Sequence, residues 1–211
     1  MYNLKVGIRS KANELAILFR KENFIPITGW GEYLKISAWW VTPAIIYVLA
    51  VDLLKNFRSV EYLETAMNQG ISPELWNIFG VFGLALFGLS MVTVKIPTIH
   101  RALAISASKL LLITFEIGLL AFGIMTGKLI SAFSEAEFSI WQAWFFGIGF
   151  FLLFGIVLSL NTGLWYLARI VFIHDGLSPF MLAVERLSWG VRFVLSFILI
   201  ALPVVFLLME R

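Results

Sequence analysis

The chain contains no cysteine, and only two histidines, His100 and His174. The first absence excludes disulfides, thiolate catalysis, cysteine-held zinc and iron–sulfur clusters. The second leaves no histidine-rich metal site, because the two lie far apart in sequence. Charge is scarce as well: 14% of the 211 residues are Asp, Glu, Lys or Arg, against about 25% in ordinary soluble domains. The net charge of +3 is too small for a nucleic-acid surface. No serine stands in a G-x-S-x-G setting. The pairs Gly29/Gly31 and Gly147/Gly149 lack the strand–turn–helix context of a nucleotide fold. The reading is therefore of a non-enzymatic protein with no metal and no cofactor.

What fills the chain is apolar. Sixty per cent of residues are hydrophobic, and the mean hydropathy is +0.91. Helices of a water-soluble core need a polar face, and most segments here have none. The composition predicts an all-α, polytopic membrane bundle of about five transmembrane helices, or four if the last one only dips into the bilayer. An N-terminal amphipathic helix precedes it.

Residues 1–35 form the interfacial part. Leu4, Ile8, Ala12, Leu15 and Phe19 recur at helical spacing, and Lys5, Arg9, Lys11, Arg20 and Lys21 lie mostly off that stripe. Such a helix either lies on anionic headgroups or packs on the protein's own loops. The first long apolar run starts about 35 residues in, too late for a signal peptide. Residues 36–211 form the bundle, with spans at about 36–51, 75–94, 110–127, 138–168 and 193–208. Pro43 and Pro203 fall inside the first and fifth. Ser72-Pro73 and Ser178-Pro179 each read as an N-cap followed by proline at the first helical position. Ser131 to Glu137 reads as an acidic turn after Lys128. His174-Asp175-Gly176 reads as a turn rather than an acid–base pair. The helix begun at Ser178 is expected to carry Glu185, Arg186 and Arg192 ahead of the fifth span.

Orientation follows from counting. With the N-terminus inside, Lys5, Arg9, Lys11, Arg20, Lys21, Lys35, Lys95, Arg101, Lys109, Arg169, Arg186 and Arg192 face the cytoplasm. Lys55, Arg58, Lys128 and Arg211 face outwards. Such a bias favours a cytoplasmic N-terminus in a plasma membrane of bacterial type, and an outer C-terminus if there are five spans. All eight tryptophans fall near the span boundaries, as an aromatic belt requires.

The candidate sites are few. Glu116 is the one acid well inside a span, where an ionised group costs several kcal/mol unless paired, hydrated or protonated. Lys109, Arg169 and Arg192 are its candidate partners within the chain. Arg192, or a neighbouring subunit, is preferred to Lys109, which sits about 10 Å away along the same helix. Asn161 reads first as an interhelical hydrogen bond. Gly123 and Gly127 form a GxxxG pair; Gly80 and Gly88 line up, and Gly147, Gly155 and Gly163 mark a ridge. Each is a close-packing signal, within the chain or between subunits.

Three functions remain open on these grounds. One is an integral subunit of an oligomeric membrane assembly that senses the membrane or anchors a cytoplasmic protein partner. Bacterial defence and secretion machines use subunits of this type, which is an analogy of kind alone. Another is a homo-oligomeric ion channel lined by Glu116. The third, a small transporter or intramembrane enzyme, would need several convergent polar groups inside the bilayer.

Overall fold

The computed structural model describes residues 13–26, 28–54, 73–135, 139–171 and 176–209. Lys5, Arg9, Lys11, Lys55, Arg58, Ser72, Glu137, His174, Asp175 and Arg211 lie outside these residues. The fold is all-helical, with no strand among the described residues. A helical stretch at 13–18 and a 3-10 turn at Lys21–Phe24 come first. Six helices follow: α1 Trp30–Leu53, α2 Pro73–Val92, α3 Pro97–Glu135, α4 Ile140–Val171, α5 Pro179–Glu185 and α6 Trp189–Met209.

Four of these, α1 to α4, are long and apolar enough to cross a membrane. The last helix has a shorter apolar stretch, Trp189–Val205. α3 has 39 residues and α4 has 32, so they extend about 58 Å and 48 Å, well beyond a hydrocarbon core of about 30 Å. Two expectations give way here. The acidic turn after Lys128 is helical through Glu135; Ser131, Ala132 and Phe133 are compatible with helix, and neither glycine nor proline interrupts it. The helix begun at Ser178 stops at Glu185, and Arg192 belongs to the first turns of α6 instead.

The chain divides into two compact units. The first comprises Met1–Gly29, Asn77–Leu112 and Trp165–Arg211. Its core gathers Phe87 and Met91 of α2, Ala104 and Ala107 of α3, Ile170 and Val171 of α4, and the buried face of α5. The N-terminal segment belongs to this core. Leu18 is buried in it, and Leu15 and Phe24 pack against it. The Phe24 ring meets that of Phe180 edge-on at 5.5 Å, and Tyr166 donates to the Phe24 carbonyl. Glu14 accepts a hydrogen bond from the Ser188 amide at 3.1 Å, just ahead of α6. A carboxylate there satisfies a helix donor and opposes the positive end of the dipole. Of the expected apolar stripe Leu15 faces inwards, but Phe19 is 66% exposed and Leu18 takes the buried position.

Short α5 depends on its cap. Ser178 accepts from the Met181 amide at 3.1 Å, and Pro179 opens the helix. Replacing the cap with alanine costs about 0.5–2 kcal/mol. Ser178→Ala should therefore lower the thermal midpoint and speed amide exchange at residues 180–184. Unchanged exchange there would show that packing alone holds α5.

The second unit comprises Trp30–Trp76 and Ile113–Leu164. In it α1 and α3 run in parallel. Gly123 lies against Val41 and Ala44, and one turn on Gly127 lies against Val48. On another side α3 meets α4, where Gly118 lies against Asn161 and the Phe122 and Phe154 rings are 5.1 Å apart. Tyr33 links α1 to α4. Thr162 already donates to the Leu158 carbonyl, so the 3.0 Å contact between Tyr33 and Thr162 has the phenol as donor.

Candidate functional site

Polar groups cluster in two places, one in each unit. In the first, the C-terminal end of α2 is held from two sides. A helix end leaves carbonyls without partners. His100 of α3 reaches the Ser90 carbonyl through Nδ1 at 2.9 Å. A carbonyl only accepts, so this nitrogen carries the proton. Arg192 of α6 donates to the Val92 carbonyl at 3.3 Å. Thr93 closes the end by donating to the Leu89 carbonyl. Arg192 is 3% exposed. One helical turn further along α6, Ser196 packs on Gly88. α2 and α6 thus run antiparallel, and Gly88 serves packing within the chain. Gly80 is buried too. Gly83, which the sequence did not single out, lies against Leu111. Lys109 is exposed.

In the second unit Asn161 is 1% exposed. Its amide nitrogen has no hydrogen-bond partner. A Cβ on Gly118 would fall 2.0 Å from its Oδ1. The interhelical contact expected of Asn161 is present, but as steric fit rather than as a completed hydrogen bond. Gly118 has no partner glycine four residues away, which is why no motif betrayed it. Glu116 is half-buried. It makes no hydrogen bond or ion pair among the described residues. Two residues along a helix turn the side chain by about 200°, so Glu116 faces away from the Gly118–Asn161 contact. Glu116 and Asn161, both in this unit, therefore do not converge. Asn161 serves the α3–α4 seam, Arg192 caps α2, and Glu116 points towards α1.

The glycines divide sharply. Those at 83, 88, 118, 123 and 127 each have a neighbour within about 3.0 Å of where a Cβ would sit. Those at 147, 155 and 163 have nothing within 4 Å. The glycines of the expected ridge on α4 lie open, and none of the described residues covers them. Phe151, Leu152, Gly155, Ile156, Ser159 and Leu160 line a shallow groove there of about 500 Å³. The tryptophans divide too. Trp30, Trp39, Trp141, Trp144 and Trp189 are exposed, as a belt requires, whereas Trp165 is fully buried and stands outside it. Among the described residues no cluster of His, Asp or Glu could hold a metal ion.

Comparison with protein-family models, with curated proteins and with solved structures finds no match to this chain.

Proposed function

We propose that the chain is a non-enzymatic integral membrane subunit that works inside a larger assembly, with four or five spans and a cytoplasmic N-terminus. In that assembly it senses the membrane or anchors a cytoplasmic protein. The observation that carries this reading is the uncovered ridge on α4. None of the residues in the most apolar stretch of that helix is buried, and its glycines meet no side chain. Glycine costs a helix about 1 kcal/mol relative to alanine in water. In membrane helices it is tolerated, and useful, where another helix approaches closely. Five other glycines of this chain are used in that way.

A second reading is favoured by Glu116. A carboxylate on an apolar helix, with no partner among the described residues, suits a homo-oligomeric pore, where a ring of such groups would line the path. Native mass spectrometry of the tagged chain, gently extracted from its host membrane, tests both. Complexes that fall apart in Gly155→Leu while the monomer stays folded support the assembly. A strictly monomeric chain, unaffected by that substitution, would sink it. A pure homo-oligomer that passes ions in liposomes, with less flux in Glu116→Gln, selects the pore. A fixed ratio with a soluble protein selects the anchor.

A further inference from the structure

The α1–α3 seam continues past its glycines towards the N-terminal ends of both helices. Gly123 pairs with Val41 and Ala44, and Gly127 pairs with Val48. Seven residues back on both helices is two turns, and that step brings Glu116 level with Ser37. The pairing persists to that end, because the Tyr33 and Phe115 rings are 5.6 Å apart. Ser37 stands one turn after Tyr33 and one turn before Val41, both of which touch α3. Its hydroxyl therefore faces the α3 turn that begins with Glu116. That hydroxyl oxygen is buried and has no hydrogen-bond partner.

We propose that Glu116 and Ser37 form a seat for one proton in the α1–α3 seam. A carboxyl and a hydroxyl suit this task in both protonation states. With the proton on a Glu116 oxygen, the carboxyl O–H donates to Ser37 Oγ. With the proton gone, the Ser37 O–H turns round and donates to the carboxylate. One O–H bond at Glu116 forms or breaks, and nothing else changes covalently. The two groups are not bonded to each other in this structure. The Tyr33–Phe115 and Val41–Gly123 contacts hold the backbones on either side, so turning the Glu116 side chain forms the seat.

The surroundings leave the proton to this pair. The part of α4 in this unit carries no ionisable side chain, and Glu116 is the only one on α3 between residues 110 and 127. On α1, the Tyr33 phenol also lies on this side, but its hydroxyl is engaged by Thr162 of α4 at 3.0 Å, while Lys35 is exposed and two residues from Ser37, so it points away from α3. Glu32 is half-buried and five residues back, on a face also turned aside. Two oxygen-bearing side chains are too few for a divalent cation, which takes six or more oxygen ligands, but they suffice for a proton. The seat holds whether or not the chain assembles.

Infrared difference spectra of the full chain in liposomes, taken through a pH titration, test the proposal. The expected result is a protonated-carboxyl band that titrates, is lost in Glu116→Gln, shifts in Ser37→Ala and returns in Ser37→Thr. Circular dichroism confirms that each variant keeps its helix content. Absence of any Glu116-dependent band across the titration would overturn the proposal. So would a band that Ser37→Ala leaves in place.

Discussion

Gly123→Leu is expected to unfold the α1–α3 pair. A Cβ at this position would lie 2.6 Å from the Ala44 Cβ and 2.8 Å from the Val41 carbonyl oxygen. The second obstacle is backbone, which cannot rotate out of the way. Even alanine therefore pushes α1 outwards, and leucine adds three more carbon atoms to the same spot. Overpacking a tight site costs about 1–3 kcal/mol and sometimes more. Here the strain spreads to the next turn, because Gly127 sits 2.7 Å, measured in the same way, from the Val48 Cβ. Displacing α1 at Gly123 opens that contact too. Gly123→Leu should thus fall at the upper end of the range or beyond. The measurement is a denaturant or thermal midpoint in detergent for Gly123→Ala and Gly123→Leu. Gly155→Leu serves as the control, since nothing lies within 4 Å of where a Cβ on Gly155 would sit. Equal midpoints for the 123 and 155 variants would refute the packing described for this seam.

The second large effect is expected at Gly118, where the obstacle is a side chain. The projected Cβ position is 2.0 Å from Asn161 Oδ1 and 2.6 Å from its Cγ. Asn161 has no free space to retreat into, being almost wholly buried. Gly118→Ala should cost about 1–3 kcal/mol by the same overpacking argument. Asn161→Ala alone leaves a cavity but also removes a buried amide that lacks a partner. Losing that unsatisfied group offsets part of the cavity cost. Combined, the two substitutions should restore much of the stability lost in Gly118→Ala, because the added methyl then occupies vacated space. Coupling between touching residues reaches about 0.5–3 kcal/mol. A double-mutant cycle measures it. Strict additivity would mean that the two residues do not share the seam.

These two glycines show where the sequence was informative. Gly123 and Gly127 stand four apart on an apolar helix, and that spacing alone marks a face. Gly118 carries no such signature, and its importance comes wholly from Asn161 on another helix. The ridge at 147, 155 and 163 looks like the α3 pair in sequence, yet its glycines meet none of the described residues. Spacing identifies a face that admits a close neighbour; it does not say whether the neighbour is in the same chain. The long helices themselves were largely legible, because long apolar runs with few charges leave few alternatives. Their ends were less so. Helix α3 continues to Glu135 although its polar residues there resemble a turn. The break between α5 and α6 falls at Arg186–Ser188 without glycine or proline to announce it. Trp165 was read as a membrane-boundary residue from its position along the helix. The fold buries it because that stretch of α4 contributes to a core rather than to the surface. Arg192 reads from the sequence as the preferred partner of Glu116, whereas in the fold it donates to the Val92 carbonyl at the end of α2.

The contact between Glu14 and the Ser188 amide joins residues 174 positions apart, and it bears on the order in which the chain can be completed during synthesis. Both segments of the second unit have been made by Leu164. The first unit must wait, because the end of α4, α5 and α6 all follow Leu164. Its N-terminal segment is made before the rest of the unit and closes onto Ser188, 174 residues later. A nascent chain therefore has all of the second unit to fold while Leu15 and Leu18 still lack partners that will cover them. Apolar side chains left without their native partners in that interval are the ones most exposed to wrong association.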